Sequence, residues 1–228
     1  MRDLVSLLCA AAVVCVIVLT GCTSGSSSAS SSTDGQDAQQ SSETSSDSTS
    51  DIIDSVSDDD PYATGIHHAT IEVENYGTIE VALNANTAPI TVSNFCRLAN
   101  EGFYDGLTFH RIISGFMIQG GDPNGDGTGG SDQCIKGEFS ENGVKNNLAH
   151  VRGTISMARS SDYDSASSQF FIMQKDTSSL NGSYAAFGTV TSGMEVVDAI
   201  CDSVQTEDSN GTVAAENQPK ITKVTIVD

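Results

Sequence analysis

The sequence predicts a mainly β domain, an antiparallel barrel, over residues 61–228. Three observations predict this class: many short runs have the composition of strands, glycine-rich turns separate them, and only two segments have helical periodicity. A parallel α/β sheet would need a helix between most of its strands, so two helices are too few for that class.

The first two strands are predicted to form a hairpin. Residues 70–74 alternate between apolar and polar side chains, residues 75–77 form a turn, and residues 79–83 alternate again. This alternation indicates a sheet with one buried and one wet face.

Residues 88–102 are predicted to form an amphipathic helix. Val92, Phe95, Cys96 and Ala99 share one helical face, with a proline near the start and a glycine after the end. Because Cys96 lies on the inner face, we expect it to be a buried, inert thiol.

The rest of the domain consists of six short β-rich runs and one more helix. The runs lie at residues 107–112, 115–119, 153–158, 169–173, 186–190 and 221–227, and the helix lies at residues 194–200. No internal repeat is visible.

The N-terminus has the pattern of an export signal. Residues 1–21 contain one early arginine and a long apolar run that is short for a membrane span. Residues 19–22, Leu-Thr-Gly-Cys, resemble the lipobox of bacterial lipoproteins, which implies that Cys22 is lipidated. The alternative is an ordinary signal peptide followed by an incidental cysteine.

Residues 22–60 are predicted to be a disordered tether after the lipidated Cys22. They are rich in serine, carry nine acidic side chains and contain no lysine or arginine. Such a composition cannot bury enough apolar surface to offset the entropy of ordering.

The predicted domain is acidic and poor in cysteine. Residues 61–228 hold nine basic and 20 acidic residues, a net charge of −11, without a basic cluster, which argues against nucleic acid as a partner. Its cysteines, Cys96, Cys134 and Cys201, cannot all pair and lack metal-ligand spacing. We therefore expect at most one disulfide and no metal site.

Residues 122–130, DPNGDGTGG, allow three interpretations: a calcium loop, a dinucleotide-binding turn or a tight loop. A calcium loop that starts at Asp122 needs a glutamate at its twelfth position, which is Gln133. A dinucleotide turn needs a following helix, but residues 131–137 lack helical periodicity, and Asp122 and Asp126 would repel phosphate. The tight loop remains.

Residues 109–123, FHRIISGFMIQGGDP, closely resemble the signature of the cyclophilin peptidyl-prolyl isomerases. Further matching motifs occur in order at residues 94–95, 129–130, 155–158, 168–172, 187–190 and 193–197. The resemblance implies an eight-stranded antiparallel barrel capped by two helices, with a peptide groove on its outer face.

The implied reaction is rotation about the peptide bond that precedes a proline. Rotation costs about 18 to 20 kcal/mol because it breaks amide resonance, whereas the two isomers differ by only about 0.5 to 1 kcal/mol. An apolar pocket and one placed donor can favour the twisted amide, so the reaction needs no nucleophile, base, metal or cofactor.

The resemblance implies that Arg111 is the catalytic donor, beside Gln119 as a hydrogen-bonding group, while His110 is structural. The implied substrate-binding residues are Phe116, Met117, Gln119, Ala158, Arg159, Gln169, Phe171, Leu180 and Tyr184. From the residues alone, Arg111 could instead form a surface ion pair, and the apolar members could belong to the core.

Three positions depart from the best-known eukaryotic members. Leu180 replaces a tryptophan that contacts cyclosporin, so we expect weak or no cyclosporin binding. Tyr184 replaces a pocket histidine, and Arg159 follows Ser-Met-Ala as in the bacterial branch. Arg159 either lines the groove or forms a salt-bridged turn with Asp162 and Asp164.

The sequence thus predicts a monomeric, lipid-anchored, extracytoplasmic isomerase that acts on proline-containing unfolded or exported polypeptides. The alternative is a proline-peptide-binding module or chaperone with little catalysis. A surface hydrolase is disfavoured, because neither GxSxG nor HExxH occurs.

Overall fold

The computed structural model describes residues 52–228, so residues 1–21, Cys22 and most of the predicted tether lie outside the described part. The strands are β1 Ile66–Val73, β2 Gly77–Asn84, β3 Thr108–Ile113, β4 Met117–Asp122, β5 Thr154–Met157, β6 Phe170–Met173, β7 Ala186–Ser192 and β8 Ile221–Ile226. The helices are α1 Pro89–Asn100 and α2 Met194–Ser203. Every predicted strand and helix is present, with ends that differ by a few residues.

The strands form one antiparallel sheet in the order β3-β4-β6-β5-β7-β2-β1-β8. The sheet curls so that its two edge strands meet. The Phe109 N–H donates to the Pro219 carbonyl at 2.9 Å, and the Ile221 N–H donates to the Leu107 carbonyl at 2.7 Å. Helix α1 packs against β2 and β8, and α2 packs against β2 and β3. The predicted fold class is confirmed.

The core lies inside the curled sheet, with aromatic rings at its centre. The Phe95 ring centroid lies 5.1 Å from Tyr104, 5.6 Å from Phe170 and 5.4 Å from Phe187. The predicted inner face of α1 is buried, and burial raises the pKa of the Cys96 thiol to about 12. This thiol is therefore inert at neutral pH, and the described cysteines are all free.

Helix α1 is capped from a distant part of the chain. Ala88 precedes the helix and cannot cap it, so the carboxylate of Glu138 accepts the N–H groups of Ile90 at 3.1 Å and Thr91 at 2.8 Å. The Thr91 hydroxyl donates to the same carboxylate at 2.6 Å. Glu138 is buried, which raises its carboxyl pKa despite these hydrogen bonds.

Residues 122–130 form a tight loop at the end of β4. The buried Asp122 carboxylate accepts the N–H groups of Asn124 at 2.8 Å, Asp126 at 3.1 Å and Gly127 at 2.5 Å. Gly127 has a φ of 90°, which favours glycine. Asp122 therefore anchors the turn with its own carboxylate.

The folded part begins before the predicted boundary at residue 61. Ile53 forms a parallel bridge with Ile135, and both Ile53 and Val56 pack against the core. Residues 52–60 therefore lie on the domain rather than in a free tether. The few apolar side chains of this segment provide the buried contacts. They were overlooked in the sequence because the surrounding composition is rich in serine.

Three histidines are buried in the fold, and His110 and His150 are the most deeply buried of them. His110 is 4% exposed and its ring nitrogens make no hydrogen bond to the described residues, whereas His150 is 1% exposed and hydrogen-bonded. Burial lowers the pKa of both rings, against opposing effects of Asp122 on His110 and of Asn181 on His150. Both rings are therefore neutral at neutral pH.

Folding stability should fall as the pH drops from about 7 to about 5.5. The unfolded chain takes up protons on both histidines below their ordinary pKa of about 6.5, whereas the folded state does not until a lower pH. Each histidine contributes at most about 1.4 kcal/mol per pH unit. Urea unfolding at both pH values checks this, and His150→Gln should flatten the dependence. Equal free energies of unfolding in the wild type would contradict it.

Candidate active site

A second apolar cluster lies on the sheet face opposite the core. Met117, Phe171 and Met173 are buried in it, and partly buried side chains pack around them. These surrounding residues are Ile113, Phe116, Ala158, Leu180 and Tyr184. The structure thus brings together the predicted groove residues Phe116, Met117, Ala158, Phe171, Leu180 and Tyr184.

Strand register explains why these side chains meet. Across neighbouring strands, Arg111 pairs with Gln119, Gln119 with Phe171, and Phe171 with Ser156. Because side chains alternate between the faces of a strand, this row shares one face. The adjacent row along the strands faces the other side of the sheet and belongs to the core. It consists of Ile112, Ile118, Ile172 and Ile155.

The neighbouring outward row contains two residues that the sequence analysis missed. Met117 pairs with Ile113 on β3 and with Met173 on β6. Met117 is 1% exposed and Met173 is 0% exposed, so both form the floor of the cluster rather than its open surface. The missed residues are Ile113 and Met173, and period-two alternation gives Ile113 from Arg111 and Met173 from Phe171.

Arg111 is partly buried on β3 and is held at two points. Its Nε donates to the Asn210 carbonyl at 2.7 Å, and its Nη1 donates to Gln119 Oε1 at 3.1 Å. The loop that contains Asn210 follows α2 and was not singled out from the sequence. These hydrogen bonds fix the guanidinium at the end of the row that contains Phe171.

A chain of carboxamides continues from Arg111. Gln119 Nε2 donates to Gln169 Oε1 at 2.9 Å. Gln169 Nε2 then donates to the carbonyls of Gly129 at 2.7 Å and Gly127 at 3.1 Å. The carbonyls of the tight loop at residues 122–130 are therefore the last acceptors of this hydrogen-bond chain, and they orient Gln169.

Three aromatic rings form one wall of the cluster. The Phe171 ring stacks on His150 at a centroid distance of 5.9 Å and an angle of 19°, and it meets Tyr184 edge to face at 5.9 Å. His150 and Tyr184 are also in an edge-to-face arrangement, at 6.5 Å. Such pairs contribute about 0.5 to 1.5 kcal/mol beyond area burial, so they fix the ring orientations.

His150 was missed by the sequence analysis, although it connects several parts of the site. Its Nδ1 lies 3.1 Å from Asn181 Oδ1, and its Nε2 lies 3.0 Å from Ser156 Oγ. Asn181 Oδ1 can only accept, so the neutral ring carries its proton on Nδ1. The His150 carbonyl also accepts the Thr177 N–H at 2.8 Å, which supports the turn that carries Leu180. Nothing in the local sequence indicates these contacts.

The guanidinium of Arg159 is enclosed by aromatic rings and backbone carbonyls. It lies 4.7 Å from the Tyr184 ring, 4.8 Å from Tyr163 and 5.1 Å from Phe139. Its nitrogens donate to the carbonyls of Ser183 at 2.8 and 3.1 Å and of Ser160 at 2.8 Å. Arg159 therefore supports the wall next to Tyr184.

The salt-bridged turn suggested for Arg159 is wrong. Within residues 52–228 neither Asp162 nor Asp164 forms an ion pair with it. Asp164 Oδ1 instead accepts from the Gly137 N–H at 2.9 Å and from Asn142 Nδ2 at 2.7 Å. Aromatic rings and backbone carbonyls occupy the positions around the guanidinium, so no carboxylate of residues 52–228 contacts it.

The site combines an apolar surface with a fixed cation and oriented carboxamides. It can hold an apolar ring and direct a charged hydrogen-bond donor at a neighbouring polar group. Among the described residues, no group of three His, Cys, Asp or Glu side chains is placed to hold a metal ion, and no helix has the length and hydropathy needed to span a membrane.

Known proteins match more than half of this chain. "Peptidyl-prolyl cis-trans isomerase B" of Bacillus subtilis is 50% identical over 123 residues, which are 54% of this chain and 82% of the relative. "Peptidyl-prolyl cis-trans isomerase A" of Dickeya dadantii is 47% identical over 136 residues, 58% of this chain and 69% of the relative.

A crystal structure of a cyclophilin type peptidyl-prolyl cis-trans isomerase from Cryptosporidium parvum has a TM-score of 0.64 and 29% identity, covering 72% of this chain and 99% of that one. A second structure of it, in the presence of the dipeptide Ala-Pro, has a TM-score of 0.62 and 30% identity, covering 71% and 99%. The family model of the cyclophilin type peptidyl-prolyl cis-trans isomerases matches residues 68–227. With most of the folded part matched, this chain belongs to the cyclophilin type peptidyl-prolyl cis-trans isomerase family.

Proposed function

We propose that this isomerase is anchored by lipid outside the cytoplasm, where it speeds cis/trans exchange at X-Pro bonds of exported polypeptides. The reaction follows from the family, whose members are peptidyl-prolyl cis-trans isomerases. The observation that carries the site assignment is Arg111, held at the edge of the apolar cluster on the outer sheet face.

In this proposal the apolar cluster holds the proline ring of the substrate. Phe116, Met117, Phe171 and Leu180 form the pocket, with Met117 at its floor, and the proline side chain replaces water at the open surface. The remaining binding residues are Gln119, Ala158, Arg159, Gln169 and Tyr184. A relative was crystallised in the presence of the dipeptide Ala-Pro, which is a ligand of the proposed kind.

Arg111 is proposed to act on the prolyl nitrogen. Twisting the amide localises a lone pair on this nitrogen, so a guanidinium N–H that points at it binds the twisted state better than the planar one. Arg111 is already oriented by Asn210 and Gln119, so the donor needs little reorganisation during the reaction. No proton leaves the substrate, so His110 has no acid or base role.

A binding module or chaperone with little catalysis would use the same groove. Such a protein needs the apolar pocket but has no need for a fixed cation beside it. The two hydrogen bonds that orient Arg111 therefore favour catalysis.

The export and anchoring part of the proposal rests on the sequence. Residues 1–21 have the pattern of a signal peptide, and Cys22 lies where a lipobox cysteine would be lipidated. The tether, residues 22–60, contains no proline. We further expect a monomer that binds cyclosporin weakly or not at all, because Leu180 replaces the tryptophan of eukaryotic members.

Arg111→Ala should lower kcat/KM for an Ala-Pro peptide by roughly 10 to 150-fold, because a charged hydrogen bond contributes about 1.5 to 3 kcal/mol. NMR exchange spectroscopy with EDTA present measures this rate. Lys223→Ala, which removes one exposed charge from β8, is the control and should exchange at the wild-type rate. Wild-type activity in Arg111→Ala would remove Arg111 from the mechanism, and an inactive wild type that still binds the peptide would favour the binding module.

Cys22→Ser should move the protein from the membrane fraction to the soluble fraction of cells that express it. A thioether-linked lipid requires the cysteine sulfur, and serine cannot supply it. Fractionation and labelling with radioactive palmitate check this, with Cys134→Ser as the matched control. Labelling that survives in Cys22→Ser would contradict the proposed anchor.

A further inference from the structure

Residues 52–60, here called the strap, dock on the catalytic domain from outside the family region. The family match begins at residue 68, so the strap is an addition of this chain to the matched region. It lies between the predicted tether and β1. Any anchor at the N-terminus therefore connects to the domain through the strap.

The first half of the strap binds a backbone edge. The Ile53 N–H donates to the Cys134 carbonyl, and the Lys136 N–H donates to the Ile53 carbonyl, both at 2.9 Å. The Ile53 side chain is partly buried against the core, whereas its neighbour Ile52 is 47% exposed. The strap thus forms a single parallel β-bridge with the backbone edge at residues 134–136.

The second half of the strap binds helix α1. The Asp60 carboxylate accepts a hydrogen bond from the Ser93 hydroxyl on α1 and another from the Tyr62 N–H at 2.8 Å. Val56, between the two anchor points, packs against the core. The strap is therefore held at both ends and in the middle.

Both anchor points support one backbone segment of the site. Beside the first, the Ile135 N–H donates to the Ala166 carbonyl at 2.7 Å. Beside the second, Asn94 Nδ2 donates to the Ser167 carbonyl at 2.6 Å. Two residues later lies Gln169, whose carboxamide orients Gln119.

We propose that the strap is a positioning element of the active site and that the edge at residues 134–136, together with Ser93, is its docking surface. Docking holds residues 165–169 from two sides, and Gln169 passes this constraint through Gln119 to Arg111. The inference rests on the proposed roles of these three side chains. The last residues of the predicted tether are then a working part of the isomerase.

The test compares Ile53→Asp with Ile52→Asp in the chain from residue 22 onward that carries Cys22→Ser. In Ile53→Asp a charge replaces a packed side chain, so the Lys136 amide should exchange with deuterium at least about tenfold faster. Because small misplacements of catalytic groups are costly, kcat/KM for the Ala-Pro peptide should fall roughly three- to tenfold. Ile52→Asp adds the same charge at an exposed position and should change neither.

A second matched pair removes the other anchor, with Asp60→Ala compared with Asp59→Ala. The side-chain amide signals of Gln169 and Gln119 should shift in Asp60→Ala and remain in place in Asp59→Ala. These signals report the coupling between the strap and Gln169 without a measurement of turnover. The proposal for the strap can therefore be refuted independently of the catalytic role of Arg111. If Ile53→Asp does not fold, the comparison of Asp60→Ala with Asp59→Ala decides whether the strap positions the site.

Two results would overturn the proposal. Wild-type exchange at Lys136 in Ile53→Asp would show that the strap does not dock. Faster exchange at Lys136 with unchanged Gln169 signals and unchanged kcat/KM would show that it docks without positioning the site.

Discussion

The structure depends on one constraint, the alternation of side chains across a sheet that curls onto itself. Each strand must supply the core with every second residue, so the others are available on the outer face. On β3, β4 and β6 these outward residues are neither uniformly polar nor scattered. They form two cross-strand rows, with Arg111, Gln119 and Phe171 in one and Met117 and Met173 in the other.

The same sheet that stabilises the fold therefore makes the site rigid. Arg111 sits on a strand whose neighbours are fixed by backbone hydrogen bonds, and its guanidinium is held by Asn210 and Gln119. In the same row, two strands away, the Phe171 ring is fixed between His150 and Tyr184. The reaction makes no covalent bond to the enzyme. The preorganisation of one donor and one pocket is therefore the main contribution that the protein can make to the rate.

Local sequence patterns predicted the strands and helices, whereas only the structure revealed the contacts between residues far apart in the chain. Periodicity identified the strands and the buried face of α1, whereas only the family motif assigned Phe171 to the groove while Phe170 next to it lies in the core. The cap from Glu138 and the docking of Ile53 join segments far apart in the chain. No periodicity reports such contacts, and charge matching alone gave the wrong partners for Arg159.

The position at which a proline ring binds tests the assignment of the outer-face cluster as the proline pocket. Intermolecular NOEs between an Ala-Pro peptide and the isotopically labelled chain measure this position. We expect NOEs from the proline ring protons to Phe116, Phe171 and Leu180, with the alanine carbonyl side towards Arg111. NOEs confined to another surface, such as the exposed side of α2, would contradict the assignment of the outer-face cluster as the proline pocket.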